Sequence, residues 1–338
     1  MAGAQLPVST FQLSAFEEDE ILALDPERIS DRQVREALSR APPPRILSFK
    51  GTLFADMESF GSFLSQMGYP AEKLRNPRDG SYTYDVTWHG CKCEECPEIV
   101  GALAWYYEEE GMVPMLVGHS GGGVAVSRIL YGLADAKKSD ADTKPIPVWN
   151  PAKRKAESRY NVRDPVTGVP RRLSDLRVPY AAMIATGRLL RLTPFFPGCA
   201  EDAARFTNIP DSVEEFTGFE IEGDIFTQGT GPYRSLTPGT RPIVVRNVPL
   251  PSTTDHVRAF RMDGLAQNSQ VRAWINAYRP NRPNDPIPTD TDLDVSNILH
   301  AADLWHSIKK HWCLEAQRLI RVRRAVVDNP VRKGSDSR

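Results

Sequence analysis

Ser120 lies in the segment GHSGG at residues 118–122, which fits the pattern G-x-S-x-G. A serine hydroxyl is too weakly acidic to attack a carbonyl carbon alone. It needs a histidine to take its proton and a carboxylate to orient that histidine. Both residue types occur further along the chain. The motif therefore indicates nucleophilic catalysis of acyl transfer, with Ser120 as the attacking group.

The segments on either side of Ser120 make the motif informative. Residues 112–117 (MVPMLV) form a short apolar run typical of a buried strand, and residues 123–134 (GVAVSRILYGLA) have apolar residues at helical spacing. A serine between a strand and a helix sits on a tight turn that exposes its hydroxyl above the sheet. Gly118 and Gly122 suit this turn, because a Cβ atom there would contact the neighbouring strand and helix.

Strand and helix alternate along much of the chain. Strands are predicted at residues 45–50, 82–88, 112–117, 145–149, 218–223 and 242–250, and helices at 54–67, 97–110, 123–134 and 269–278. Alternation of this kind predicts an α/β fold with a mostly parallel central sheet flanked by helices.

This pattern divides the chain into five predicted segments. They are an N-terminal extension (1–45), the first half of the core (46–150), an inserted cap (151–215), the second half of the core (216–278), and a linker with a long C-terminal helix (279–338). The cap is predicted because its Pro-, Arg- and Gly-rich sequence interrupts the alternation of strands and helices. The C-terminal helix is predicted over about 295–327 from an apolar stripe at spacings of three and four: Ile298, Ala302, Trp305, Ile308, Trp312, Ala316 and Leu319.

In its serine motif and element order the chain resembles the α/β-hydrolase superfamily, especially bacterial lipases and esterases, whose motif commonly reads G-H-S-x-G. The resemblance spans roughly residues 45–275. It implies an acid after the penultimate core strand and a histidine after the last, the positions of Asp224 and His256. Asp255 and Glu222 are the alternative acids.

The resemblance also implies an oxyanion hole made of two backbone N–H groups. Gly121, directly after the nucleophile at the start of a helix, supplies one of them. The loop after the first core strand usually reads His-Gly in the family, and here residues 50–53 read KGTL. Thr52, or failing that Leu53, would be the second donor.

The resemblance implies a serine hydrolase that cleaves carboxylic esters through an acyl-enzyme on Ser120, without a cofactor. Apolar cap residues would cover an acyl pocket, which favours small-molecule or lipid-like esters, although ordinary cap core explains them equally well: Leu189, Leu190, Leu192, Phe195 and Phe196. Two alternatives stay open. One is acyl transfer to an acceptor other than water, and the other is a hydrolase-fold binding protein that docks partners through its C-terminal helix.

Composition excludes several other classes. Lys and Arg number 42 against 43 Asp and Glu, for a net charge of −1, which lacks the basic excess of a nucleic-acid binder. No apolar run is long enough to span a membrane, and the acidic start lacks the basic region of an export signal.

Five cysteines cannot all pair within one chain, so a reducing, cytoplasmic location is expected, with a removed export signal left open. The oligomeric state stays open.

A second set of reactive residues lies at His89, Cys91, Cys93 and Cys96, which are the ligand types of a structural zinc site. No second cysteine pair follows nearby, so a thiol-rich loop is the preferred interpretation and no metal is predicted. The Gly-rich turn around Ser120 also suggests phosphate binding, but neither G-x-G-x-x-G nor G-x-x-x-x-G-K-[ST] can be read there.

Overall fold

The structure is a computed structural model of the 338-residue chain. It describes residues 13–51, 56–85, 88–89, 92–93, 95–135, 146–150, 153–159, 161–186, 203–224, 232–236, 242–288, 293 and 297–328.

Five parallel strands form the central sheet, and each pairs with the next one along the chain. The strands are β1 (Ile46–Phe49), β2 (Met115–His119), β3 (Val178–Ile184), β4 (Val213–Ile221) and β5 (Val244–Leu250). The described helices are α1 (Ala15–Leu22), α2 (Asp31–Glu36), α3 (Glu58–Met67), α4 (Cys96–Glu110), α5 (Gly121–Asp135), α6 (Ala203–Thr207), α7 (Ser269–Ala277) and α8 (Ile298–Asp328). The predicted α/β fold with a parallel central sheet is confirmed.

Apolar side chains cover both faces of this sheet. Along β2, Met115 and Val117 belong to one hydrophobic cluster, whereas Leu116 belongs to the other. Helices α3, α7 and α8 contribute to the first cluster, and α4 and α5 contribute to the second. This alternation follows from the two-residue period of a strand, whose successive side chains point to opposite faces.

The predicted cap at 151–215 is wrong in its extent, because β3 and the start of β4 lie within it. β3 is the middle strand of the sheet, and all of its residues are buried. A strand buried on both faces shows a continuous apolar run without alternation, so its sequence merges with the apolar stretch that follows it. The apolar residues expected to line a lid, 189–196, lie outside the described residues.

Two other predicted strands do not enter the sheet as continuous strands. Ile146–Asn150 pairs antiparallel with Lys155–Arg159 and forms a hairpin instead. In the region 82–88, of which residues 82–85 and 88 are described, Tyr84 makes a single bridge to Phe49 of β1. Further short pairs are Trp88–His89 with Lys92–Cys93, Asn161–Arg163 with Pro170–Arg172, and Asn208–Ile209 with Arg234–Ser235.

Helix α8 confirms the predicted long C-terminal helix, and every residue of the predicted apolar stripe is buried. The N-terminal segment 13–41 packs against it, so this segment is part of the core. Gln317 Nε2 donates hydrogen bonds of 3.0 and 2.9 Å to the carbonyls of Ile21 and Leu24. Because its own chain covers this stripe, the stripe is not free to dock a partner. Among the described helices, none is long and apolar enough to cross a membrane.

Arg246 on β5 and Asp303 on α8 form a buried ion pair that fastens the helix to the sheet. Arg246 Nη1 and Nη2 lie 2.8 and 2.7 Å from the two carboxylate oxygens, and the Asp303 side chain is 1% exposed. Removing Arg246 leaves a buried carboxylate without its cation. We therefore expect Arg246→Ala to lower the free energy of unfolding by about 3–5 kcal/mol, measured by urea denaturation.

Arg32 provides the matched control. Its side chain is 76% exposed and lies 3.6 Å from Glu36 on the helix surface. Arg32→Ala should change the free energy of unfolding by less than about 1 kcal/mol. Equal effects of the two substitutions would show that the buried pair does not stabilise the contact between α8 and the sheet.

Candidate active site

Ser120 lies on the turn between β2 and α5 in a strained backbone conformation. Its φ is 49°, in the left-handed region that residues other than glycine rarely adopt. Its N–H donates to the carbonyl of Ile184 at 2.9 Å, and its carbonyl accepts from the N–H of Gly123 at 3.1 Å. These bonds fix the turn at the carboxyl end of the sheet, where the serine motif was expected to expose its hydroxyl.

Close backbone approach explains the glycines around this turn. A Cβ atom at Gly122 would lie 2.2 Å from the carbonyl oxygen of Phe49 in β1. One at Gly118 would lie 2.5 Å from the carbonyl oxygen of Gly122. Both distances are far below van der Waals contact, so the turn can pack against its neighbours only with glycine at these positions.

His256 lies between Ser120 and Asp224. Its Nε2 is 3.2 Å from Ser120 Oγ, and its Nδ1 is 2.6 Å from Asp224 Oδ2. A carboxylate accepts a hydrogen bond from Nδ1–H, which leaves the Nε2 lone pair facing the serine hydroxyl. The structure thus brings together the three residues that the sequence singled out, in the order hydroxyl, imidazole, carboxylate.

Burial distinguishes Asp224 from the alternative acids. The side chains of Asp224 and His256 are 4% and 15% exposed, so their contact is largely shielded from water. Asp255 and Glu222 are exposed. Asp255 Oδ1 instead accepts two backbone N–H groups of the turn that follows it. Of these three carboxylates, Asp224 is therefore the one that contacts the imidazole.

One of the two expected oxyanion donors can be located. Gly121 is the first residue of α5, so its N–H has no acceptor within the helix and lies at the positive end of the helix dipole. The loop after β1 passes close to the nucleophile, because a Cβ atom at Gly51 would lie 3.2 Å from Ser120 Cβ. Thr52 and Leu53, the expected second donors, lie outside the described residues.

His119 is a neighbour of this site that the sequence did not single out. Its side chain is 2% exposed, and its Nε2 lies 2.8 Å from the backbone carbonyl oxygen of His256. Burial and the adjacent His256 lower the pKa of His119 to about 4, so the ring is neutral near pH 7. The sequence did carry a signal for the burial of His119. It lies two residues after the apolar Val117 on the same strand, so both side chains point to the same face of the sheet.

Cys96, the first residue of α4, differs from the reduced state expected of the cysteines. Cys96 is disulfide-bonded, and a disulfide sulfur cannot bind zinc as a thiolate. The side chains of His89, Cys91 and Cys93 lie outside the described residues. Within the described part of the chain, no group of three or more His, Cys, Asp or Glu residues is arranged to hold a metal ion.

Comparison with known proteins adds little to this geometry. No protein-family model matches the chain, and no curated protein matches it. One solved structure, described as "RedJ with PEG molecule bound in the active site", has 12% sequence identity and a TM-score of 0.27, covering 69% of this chain and 94% of that chain. A likeness at this TM-score carries no argument about function.

Proposed function

We propose that the chain is a serine hydrolase that cleaves carboxylic esters through an acyl-enzyme on Ser120. The observation that carries this proposal is the continuous contact from Ser120 Oγ through His256 to Asp224, at 3.2 and 2.6 Å. A positioned hydroxyl, base and orienting carboxylate are the groups that nucleophilic acyl transfer needs. The strained turn between a parallel strand and a helix also supports placing the chain in the α/β-hydrolase superfamily, close to lipases and esterases.

Acylation follows from this arrangement. Ser120 Oγ attacks the ester carbonyl carbon while His256 Nε2 takes the hydroxyl proton, and Asp224 stabilises the imidazolium that forms. The carbonyl oxygen becomes an oxyanion, which the Gly121 N–H is placed to stabilise. His256 then returns the proton to the leaving alcohol as the ester C–O bond breaks. The acyl group remains on Ser120.

Deacylation repeats these steps with water as the nucleophile. His256 Nε2 takes a proton from water as its oxygen attacks the acyl carbon, and the same imidazolium then protonates Ser120 Oγ as the bond to serine breaks. A carboxylic acid leaves, and the free hydroxyl is restored. The atoms and electrons balance with an ester and water as the only reactants, so the proposal invokes no cofactor.

A panel of p-nitrophenyl esters from acetate to palmitate tests this function and its substrate range. We expect turnover with equal amounts of p-nitrophenol and free carboxylic acid, and the relative rates along the panel give the acyl-chain preference. Added alcohols distinguish hydrolysis from transfer, because an acyltransferase would release the new ester in place of the acid. Absence of turnover for every ester in the panel would contradict the proposal and favour a binding protein.

A further inference from the structure

The loop that carries His256 consists of turns between β5 and α7. Side-chain hydrogen bonds anchor its later part. Asn297 Nδ2 donates to the carbonyls of Arg258 and Arg261 at 2.9 and 2.8 Å. The N–H of Met262 donates to Ser59 Oγ at 2.8 Å. These anchors act on residues after His256, so they leave the position of His256 itself to other contacts.

His119 makes its contact with residue 256 directly. Its Nε2 lies 2.8 Å from the His256 carbonyl oxygen, and a carbonyl oxygen can only accept, so Nε2 must carry the hydrogen. His119 is also the residue that precedes Ser120. One hydrogen bond therefore ties the backbone of the base to the neighbour of the nucleophile.

The His119 ring is held in the orientation that this bond requires. Its centroid lies 5.5 Å from that of Phe260 in an edge-to-face arrangement and 5.2 Å from that of the His256 ring. On another side, a Cβ atom at Gly51 would lie 2.8 Å from His119 Nδ1, so the backbone there closes against the ring. A donor fixed by packing on several sides costs no reorganisation during the reaction.

The charge state of the ring also suits this role. Burial lowers the pKa of His119 most, and the charge of His256 lowers it further, to about 4. When His256 takes the serine proton, His119 therefore stays neutral and keeps its Nε2–H bond to the His256 carbonyl.

We propose that His119 is a positioning residue that sets the distance between Ser120 Oγ and His256 Nε2 by holding the His256 backbone. Its hydrogen bond goes to the backbone of His256, so it acts through that residue and not on the reacting atoms. The inference rests on the proposed function, because it gives His119 a role in that reaction.

Two substitutions separate the hydrogen bond from packing. His119→Gln keeps an N–H donor near the position of Nε2, whereas His119→Phe keeps the ring volume without a donor. We expect kcat for p-nitrophenyl ester hydrolysis to fall about 10- to 100-fold in His119→Phe with KM nearly unchanged, because small misplacements of catalytic groups cost about this much. His119→Gln should retain at least about a third of kcat. If His119→Phe does not fold, His119→Met takes its place with the same expectation.

A kcat of His119→Phe within about threefold of wild type would overturn the inference, as would equal losses in both variants. Hydrogen exchange at the amides of Val257 and Arg258, which bond to Asp255 in the same turn, gives a readout that does not depend on activity. Exchange should be faster in His119→Phe than in His119→Gln. Unchanged exchange would also contradict the proposed role.

Labelling of wild-type Ser120 by a fluorophosphonate separates the two possible failures. Suppose that wild type is labelled and that His119→Phe has the kcat and the hydrogen exchange of wild type. This result would reject the positioning role and leave the proposed function standing. An unlabelled wild type would reject the proposed function. Faster exchange in His119→Phe would then still support the hold of His119 on the loop.

Discussion

Ser120→Ala is expected to lower kcat for ester hydrolysis by about 10⁵- to 10⁶-fold while leaving the fold intact. The substitution removes the attacking oxygen and keeps the Cβ atom. The backbone bonds that hold the turn, from the Ser120 N–H to Ile184 and from Gly123 to the Ser120 carbonyl, do not involve the hydroxyl. Initial rates on a p-nitrophenyl ester measure the loss, and the thermal midpoint of unfolding reports whether the fold survives.

Ser62→Ala is the matched control for this substitution. Ser62 lies on α3, and its hydroxyl accepts a hydrogen bond from Gln66 of the same helix. Its activity should equal that of wild type, which excludes a general effect of exchanging serine for alanine. Turnover by Ser120→Ala within about tenfold of wild type would mean that another group attacks the ester.

Asp224→Asn is expected to lower kcat by about 10³- to 10⁴-fold with a smaller change in KM. Asp224 Oδ2 lies 2.6 Å from His256 Nδ1 and accepts its hydrogen. An amide NH₂ at this place would donate to Nδ1 and move the ring hydrogen to Nε2, where it faces Ser120. The imidazole could then no longer take the serine proton, although its position would be nearly unchanged.

Asp255→Asn and Glu222→Gln are the controls for the assignment of the acid. Both side chains are exposed, and Asp255 caps a backbone turn. Each substitution should lower kcat by less than about tenfold, because it can disturb the loop around it but removes none of the contacts among Ser120, His256 and Asp224. A larger loss in either control than in Asp224→Asn would show that the acid is misassigned.

The three residues of the site could be predicted because each one follows a strand whose pattern is visible in the sequence. Ser120 follows β2, Asp224 follows β4, and His256 lies in the loop after β5. Parallel strands bring their carboxyl ends to one edge of the sheet, so all three side chains are expected at that edge. The glycines beside Ser120 added a local signal, which the close approach of the backbone explains.

Other features depend on contacts that the sequence pattern does not carry. Apolar and polar residues do not alternate along β3, because helices cover both of its faces. The sequence pattern therefore placed β3 in the predicted cap. Lys309 on α8 is a charged residue, yet it is buried and donates to the Ile29 carbonyl at 2.9 Å. The contact of His119 with the His256 carbonyl joins residues 137 positions apart. Local periodicity carries no information about partners so distant along the chain.

Labelling of the full chain with a fluorophosphonate, followed by peptide mapping with mass spectrometry, tests the central claim most directly. In this reaction Ser120 Oγ would attack phosphorus, His256 would take the proton, and fluoride would leave. The account predicts about one probe per chain, bound to Ser120, and much slower labelling of His256→Ala. An unlabelled chain, or a probe bound to a residue other than Ser120, would contradict it.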